Sequence, residues 1–427
     1  MIKKLLDILR RYVKEGLFHI VGSRVISQVG GLISSMIVIR HLEKLNYGHY
    51  VDANNIYSYP AIFVGLGMTS AIMQYCSENV SEGRKMAIYR HSWLSGNTAN
   101  ILIALVTASL AFWKCQTGEP AIALYLLLMC GLPFVNYADS YFQTVLRVKL
   151  KNQIFSYVNI AYSVVLLLGN IILTMLFDIP GLIYSKYLAF FASISLCAWA
   201  LHKERFFGGL KNPAETLEHG EKRKINNYAF ICAITNFASI VLTLLDITCL
   251  DLVLGDATVL ADYNVAATIP SACTFVPSCL MVFFYPKLVA AISDGKEEGR
   301  RYIFQLAKVY AVVNGLVYAC LAVFAPLIIW IIYGEKYMNV IPLFEILSVN
   351  YFAYCVRNLM GNVIAAIKKV KINLLFSVLS GILNICLNLA LIPWLGAAGA
   401  AIATLIVTIT VAVLDCTYVL HHFRKEK

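Results

Sequence analysis

The polar side chains of this sequence recur at helical spacing inside stretches that are otherwise apolar. Arg24, Gln28, Gly31 and Ser35 fall at i, i+4, i+7 and i+11, and Asn136, Asp139, Gln143 and Arg147 at i, i+3, i+7 and i+11. Asn350, Tyr354, Arg357, Asn358 and Gly361 repeat the pattern, as do Asn236, Ser239, Thr243 and Asp246, while Asn54, Asn55 and Ser58 precede a kink expected at Pro60. Such spacing places each set on one helix face. Ionisable groups in hydrocarbon are costly, so a shared face implies a protected or wet environment. The chemistry available there is binding. A guanidinium engages phosphate oxygens with a two-pronged fork, and a buried carboxylate can hold a proton or a cation.

The candidate cavity residues are therefore Arg24, Gln28, Asn54, Asn55, Asp139, Gln143, Asp246, Arg357 and Asn358. At about 1.5 Å per residue, Arg357 lies about 15 Å from the cytoplasmic boundary and Arg24 about 10 Å. Arg357 is the favoured substrate contact. Arg24 has a second reading, in which it reaches the cytoplasmic surface and Asp139 neutralises it. Lys308 and Asp415 near the inner boundary, and Lys186, Asp251 and Glu345 near the outer one, read as boundary residues.

No bond-making machinery accompanies these faces. There is no GxxxxGK[ST] phosphate loop and no GxSxG elbow, and the eight histidines lie mostly in loops or at interfaces. Most of the twelve cysteines sit inside apolar runs as small hydrophobes, without CxxC pairs. Neither an enzyme, a metal site nor a cofactor is expected. Met1 to Glu15 is basic and amphipathic and runs into an apolar span without a small-residue cleavage site, which does not fit a signal peptide.

The elements that position these faces follow from composition. Of 427 residues, 59% are hydrophobic and 14% charged, with a mean hydropathy of +0.71, well beyond a soluble domain. Twelve apolar runs of crossing length centre near residues 28, 63, 103, 134, 166, 191, 239, 274, 317, 353, 383 and 409. The net charge of +11 is not a nucleic-acid footprint: 27 Lys and Arg fall in alternate segments that include both termini, and only 4 in the intervening loops. Both termini are expected in the cytoplasm, with an even number of crossings.

The longest polar connection divides the chain nearly in half. Tyr50-Val51-Asp52-Ala53 recurs as Tyr263-Asn264-Val265-Ala266, Glu82-Gly83-Arg84-Lys85 as Glu298-Gly299-Arg300-Arg301, and the Gly181 turn at Gly396, at offsets of 213, 216 and 215. The expected fold is an all-α integral membrane protein of twelve helices, in two six-helix lobes related by a pseudo-two-fold axis along the membrane normal. The lobes are expected over residues 1–200 and 228–427, with a cytoplasmic linker over 201–227. Transporters of this kind bind substrate where the halves meet.

The stretches Leu45-Asn46-Tyr47-Gly48-His49-Tyr50 through Gly65-Leu66-Gly67, Asp246 to Tyr263-Asn264-Val265-Ala266, and Asn384 to Pro393 followed by Gly396-Ala397-Ala398-Gly399-Ala400-Ala401 resemble the multidrug/oligosaccharidyl-lipid/polysaccharide exporter superfamily. Within it the chain is most similar to bacterial polysaccharide flippases of the O-antigen transporter type. The resemblance implies alternating-access translocation of a polyprenyl-diphosphate-linked oligosaccharide across the bacterial cytoplasmic membrane for surface polysaccharide, with cavity cations meeting the diphosphate. It implies membrane lipids, a coupling ion (H+ or Na+), a polysaccharide polymerase and a chain-length regulator as partners, and no nucleic acid. The cavity faces carry acids as well as arginines, however. That leaves room for a rival of the same fold, a cation-coupled multidrug or metabolite antiporter with Asp139 and Asp246 as ion-binding groups; a membrane scaffold has less support, for want of a sizeable soluble surface.

Overall fold

The computed structural model describes residues 30–77, 81–203, 206–211, 213–367 and 369–424, and every regular element among them is helical. A helix over 30–41 (α1) is followed by α2 (Lys44–Ala61), α3 (Met68–Ser77), α4 (Glu82–Gln116), α5 (Pro120–Met129), α6 (Leu132–Val148), α7 (Asn152–His202) and a short α8 (Phe206–Lys211). Then come α9 (His219–Leu254), α10 (Ala257–Ala272), α11 (Phe275–Asp294), α12 (Lys296–Val323), α13 (Ala325–Tyr333), α14 (Ile341–Ala366), α15 (Val370–Leu395) and α16 (Ala397–Arg424).

Local chemistry sets the ends of these helices. Ser81 caps α4 by accepting from the Arg84 amide at 3.2 Å, with Glu82 favourably placed in the first turn. Asp256 caps α10 by accepting from the Thr258 amide at 2.8 Å. Prolines 120, 133, 326 and 342 lie in the first turns of α5, α6, α13 and α14, where a missing N–H leaves no helical bond unmade. The kink expected at Pro60 is present: α2 ends one residue later, and a 3-10 turn over Val64–Gly67, with Gly65 at φ 62° and Leu66 at φ 47°, leads into α3.

Eight stretches among the described residues are long and apolar enough to cross a membrane. One of them is α7, whose 51 residues would extend about 77 Å if straight. It is not straight. Asp178 (φ 52°, ψ −131°) breaks it, and Ser185 folds back to donate to Asn170. This hairpin makes two crossings of one stretch, so the eight hold nine of the twelve expected. The others fall near residue 28, outside the described residues, on α9, and at the junction of α10 and α11.

The same break recurs at Gly396 (φ 56°, ψ −135°). Just beyond each break stands a glycine whose Cβ would collide with a carbonyl eight residues earlier: Gly181 against Leu173, and Gly399 against Leu391. Gly181 therefore corresponds to Gly399, and Gly396 to Asp178, both 218 residues apart. This corrects the pairing of Gly181 with Gly396 at 215. Sequence comparison aligns glycine with glycine, whereas the backbone aligns two positions of positive φ, one of them occupied by aspartate.

The chain forms two compact units, the first comprising residues up to Leu42 and Ala53–Ile240, the second Glu43–Asp52 and Val241–Lys427. In the first, Met68, Ile72, Tyr89, Tyr137, Tyr141, Phe142 and Leu201 form a buried core. Trp93 packs against Tyr141 and Phe142 at 5.0 and 5.6 Å between ring centres. The tyrosine hydroxyls are satisfied by carbonyls, Tyr137 donating to Ser92 at 2.5 Å and Tyr141 to Tyr89 at 3.0 Å. The long polar connection is built into this unit: Phe206 and Leu217 join the core, Arg84 pairs with Glu221, Ser81 donates to Glu215, and His91 bonds Asn226 at 2.8 Å. The second unit packs Met281, Leu288, Tyr310, Leu359, Val363 and Val419. There Tyr310 donates to the Pro277 carbonyl at 2.6 Å, and Tyr318 to that of Pro270 at 3.2 Å, where α10 is about to end.

Candidate functional site

The cavity residues expected from sequence resolve into separate clusters. Arg24 and Gln28 lie outside the described residues, so the Arg24 to Asp139 pairing has no geometry here. In the first unit, Asp139 and Gln143 stand one turn apart on α6, and the Gln143 amide nitrogen donates to both carboxylate oxygens at 2.9 and 2.8 Å. Ser193 on the second half of α7 also donates to Asp139. Asp139 is buried, and both of these donors, Gln143 and Ser193, are neutral. On α2, Asn55 is buried, while Asn54 accepts from the Lys186 ammonium at 3.2 Å. Lys186 thus bonds a candidate cavity residue instead of only marking a boundary. Arg147, last of its sequence stripe, is exposed and lies over the Phe155 ring.

In the second unit, Arg357 on α14 donates to Ser380 on α15 at 3.4 Å, and the buried Asp415 on α16 lies within electrostatic reach of its guanidinium. The side chain of Asn358 accepts from Asn362 at 3.1 Å, and so does its carbonyl, at 2.7 Å. Asn350 is buried and Tyr354 exposed. Arg357 therefore has two neighbours on adjacent helices that the sequence stripe did not include.

The densest polar constellation surrounds Asp246 on α9. Its Oδ1 accepts from the side-chain amides of Asn384 and Asn388 on α15, at 3.1 and 3.0 Å, and its Oδ2 from the Tyr263 hydroxyl on α10, at 2.6 Å. Thr404 on α16 lies 2.7 and 2.6 Å from the two oxygens. Asn384 and Asn388 also bond one another at 3.0 Å. The carboxylate is 8% exposed, Asn388 fully buried, and every one of the four donors is neutral. Among the described residues no lysine or arginine pairs with it.

A buried carboxylate without a countercharge is stable when it takes up a proton or a cation. The surroundings suit both. Asn384 and Asn388 can each present an amide oxygen after rotating, and Thr404 and Tyr263 present hydroxyl oxygens, so Asp246 can be completed as an all-oxygen site for a hard cation. No group of three or more His, Cys, Asp or Glu side chains with metal-ligand geometry occurs among the described residues.

The corresponding position of the first unit lacks the acid. Asn170, which aligns with Asn388 at the 218-residue offset, donates to Ser34 at 2.7 Å and accepts from Ser185. Both nodes tie the last two helices of a repeat to its first. Among the described residues, only the second carries a titratable group. Sequence reasoning found Asp246 but missed Tyr263, Asn384, Asn388 and Thr404, although Asn384 and Asn388 stand at i and i+4 in the apolar run ILNICLNLALIP. The side chains of Ser239 and Thr243, drawn into this site by spacing, lie outside the described ones, and Asn236 is exposed.

Three comparisons bear on these features. The family described as "Polysaccharide biosynthesis protein" matches residues 13–288. An uncharacterised membrane protein of Methanocaldococcus jannaschii is 21% identical over 419 residues, covering 92% of this chain and 80% of that protein; a membrane protein in the cps region of Klebsiella pneumoniae is 28% identical over 158 residues, 37% of this chain and 32% of that protein. Among solved structures, a multidrug resistance MATE family transporter of the MOP superfamily, in an inward-facing conformation, aligns with a TM-score of 0.79 at 13% identity, over 93% of this chain and 94% of that one. At that identity the likeness establishes the fold, an all-α membrane transporter fold.

Proposed function

We propose, because the chain belongs to the polysaccharide biosynthesis protein family, that it is a flippase which carries a polyprenyl-diphosphate-linked oligosaccharide across the cytoplasmic membrane by alternating access, for surface polysaccharide. The observation that carries the mechanism is Asp246, a buried acid with four neutral donors. Such a group changes its cation or proton occupancy when its exposure changes, which is what coupling to a gradient requires. Membrane lipids surround the transporter, a polymerase and a chain-length regulator act on its product, and Arg357 takes the role of diphosphate contact.

Family membership supports a saccharide substrate, and the two buried acids, Asp139 and Asp246, support the antiporter alternative of the same fold. Deleting the gene separates them. A flippase deletion leaves lipid-linked repeat units on the cytoplasmic leaflet and removes surface polysaccharide, with activity restored by the wild-type chain. Unchanged surface polysaccharide together with increased sensitivity to cationic drugs refutes the flippase reading.

A further inference from the structure

The outward end of α2 makes a set of contacts that the substrate and ion sites do not use. Lys44, the first residue of α2, meets both carboxylate oxygens of Asp262 on α10, at 2.7 and 2.8 Å, and Asn339 donates to the same carboxylate at 2.8 Å. The Lys44 ammonium also stands 5.6 Å from the centre of the fully buried Tyr337 ring. Tyr47 donates to the Asn264 side chain at 2.8 Å, and Gly48 lies so close to the Ala257 carbonyl that no Cβ would fit. Positions 44, 47 and 48 share one helix face, so this is a single docking strip rather than three unrelated contacts.

Two further facts give the strip a role. Residues Glu43–Asp52 group with the second unit, and the same helix continues from Ala53 as part of the first. Movement of the whole of α2 with the first unit would therefore have to break these contacts. The ion pair is also reachable by water, its side chains being 26% and 14% exposed, and a pair in that setting is weak enough to open and close repeatedly. We propose that Lys44 and Asp262, buttressed by Asn339, form a reversible latch that holds the outward end of α2 against α10 and releases once in each transport cycle.

The purpose of the latch rests on the transporter reading, whereas its test needs no substrate. Ala261 is fully buried and follows Ala257 and precedes Asn264 at helical spacing on α10, beneath the docking strip. With the twelve cysteines replaced by serine or alanine, Ala261→Cys is labelled in cells with an impermeant and with a permeant maleimide. Labelling should be slow in the parent, at least about fivefold faster with Lys44→Asp, and close to the parent rate in Lys44→Asp combined with Asp262→Lys. Should Lys44→Asp lower the amount of protein in the membrane, Asp262→Asn gives the same rise with a smaller perturbation. Labelling unchanged by either substitution with both reagents, or equally fast in the charge swap, overturns the latch. The polysaccharide phenotype of a deletion is scored separately, so failure of the flippase reading leaves this result standing.

Discussion

Replacing Asp246 by asparagine removes the charge while keeping the shape of the side chain. The carboxylate accepts from four neutral donors, and the amide that replaces it still accepts at one oxygen, while the Tyr263 hydroxyl can rotate to accept from its NH2. The hydrogen-bond network should therefore lose about 1–2 kcal/mol, within the range for one imperfectly matched buried polar group. Cation binding should lose more. A unit charge pair about 4 Å apart at an effective dielectric constant of about 20 is worth about 4 kcal/mol, which corresponds to about a thousandfold in affinity. The assay is thermal unfolding of purified protein in nanodiscs, in sodium chloride against choline chloride at fixed ionic strength and pH. Cation at about 100 times its Kd stabilises the folded state by about 2.7 kcal/mol. The wild-type chain should show that shift with sodium, and Asp246→Asn should not. An undiminished shift in the variant would refute the assignment of the coupling site.

Four further outcomes are expected. For topology, labels at Gly118, Gly255 and Lys336 should report outside, and at Gly83, Gly208 and Gly295 inside; Gly118 is preferred over the nearby Lys114 because that ammonium is buried against Glu119 at 2.6 Å. Arg357→Ala should abolish transport at normal membrane abundance while Arg357→Lys keeps part of it, and a double-mutant cycle with Asp415→Asn should show coupling of about 1–3 kcal/mol, since removing the arginine alone strands a buried acid. Gly399→Ala and Gly181→Ala should each reduce thermal stability, the reverse of the gain of about 1 kcal/mol that Gly→Ala ordinarily brings within a helix, because the added Cβ meets a backbone carbonyl. Asp256→Ala should cost about 1 kcal/mol through loss of the α10 cap. The hydrogen bonds from Thr258 hold the Asp256 carboxyl below its usual value, so its contribution is complete above the ordinary carboxylate range and disappears as pH falls through the lowered value, which unfolding against pH will reveal.

How far the sequence could be read depended on whether an interaction is local. Helical spacing and hydropathy are properties of adjacent turns, and they located the apolar stretches, the break after Pro60 and the Asp139–Gln143 pair on one face of α6. Partners on other helices carry no such period. Nothing in the spacing around Asp246 indicates that Thr404, 158 residues away, lies within 2.7 Å of its carboxylate. Arg357 was legible as a polar-face residue, whereas its proximity to Asp415 was not, because Asp415 lies near the end of a different helix. The duplication was legible, but its register at the turns was set by backbone angles that glycine and aspartate can both adopt.

The turn at Asp178 also bears on how the chain is made. Because α7 folds back without an extramembrane loop, its two crossings have no polar segment on which to pause between them, and the bond from Ser185 to Asn170 joins them near the turn. Residues 152–202 would therefore leave the translocon as one helical hairpin, and the pair around Gly396 as another. A peptide tag inserted at either turn would separate partners that partition into lipid together, whereas the open turn at Gly118 has room for one. Biogenesis, in this view, counts hairpins where the hydropathy profile counts spans.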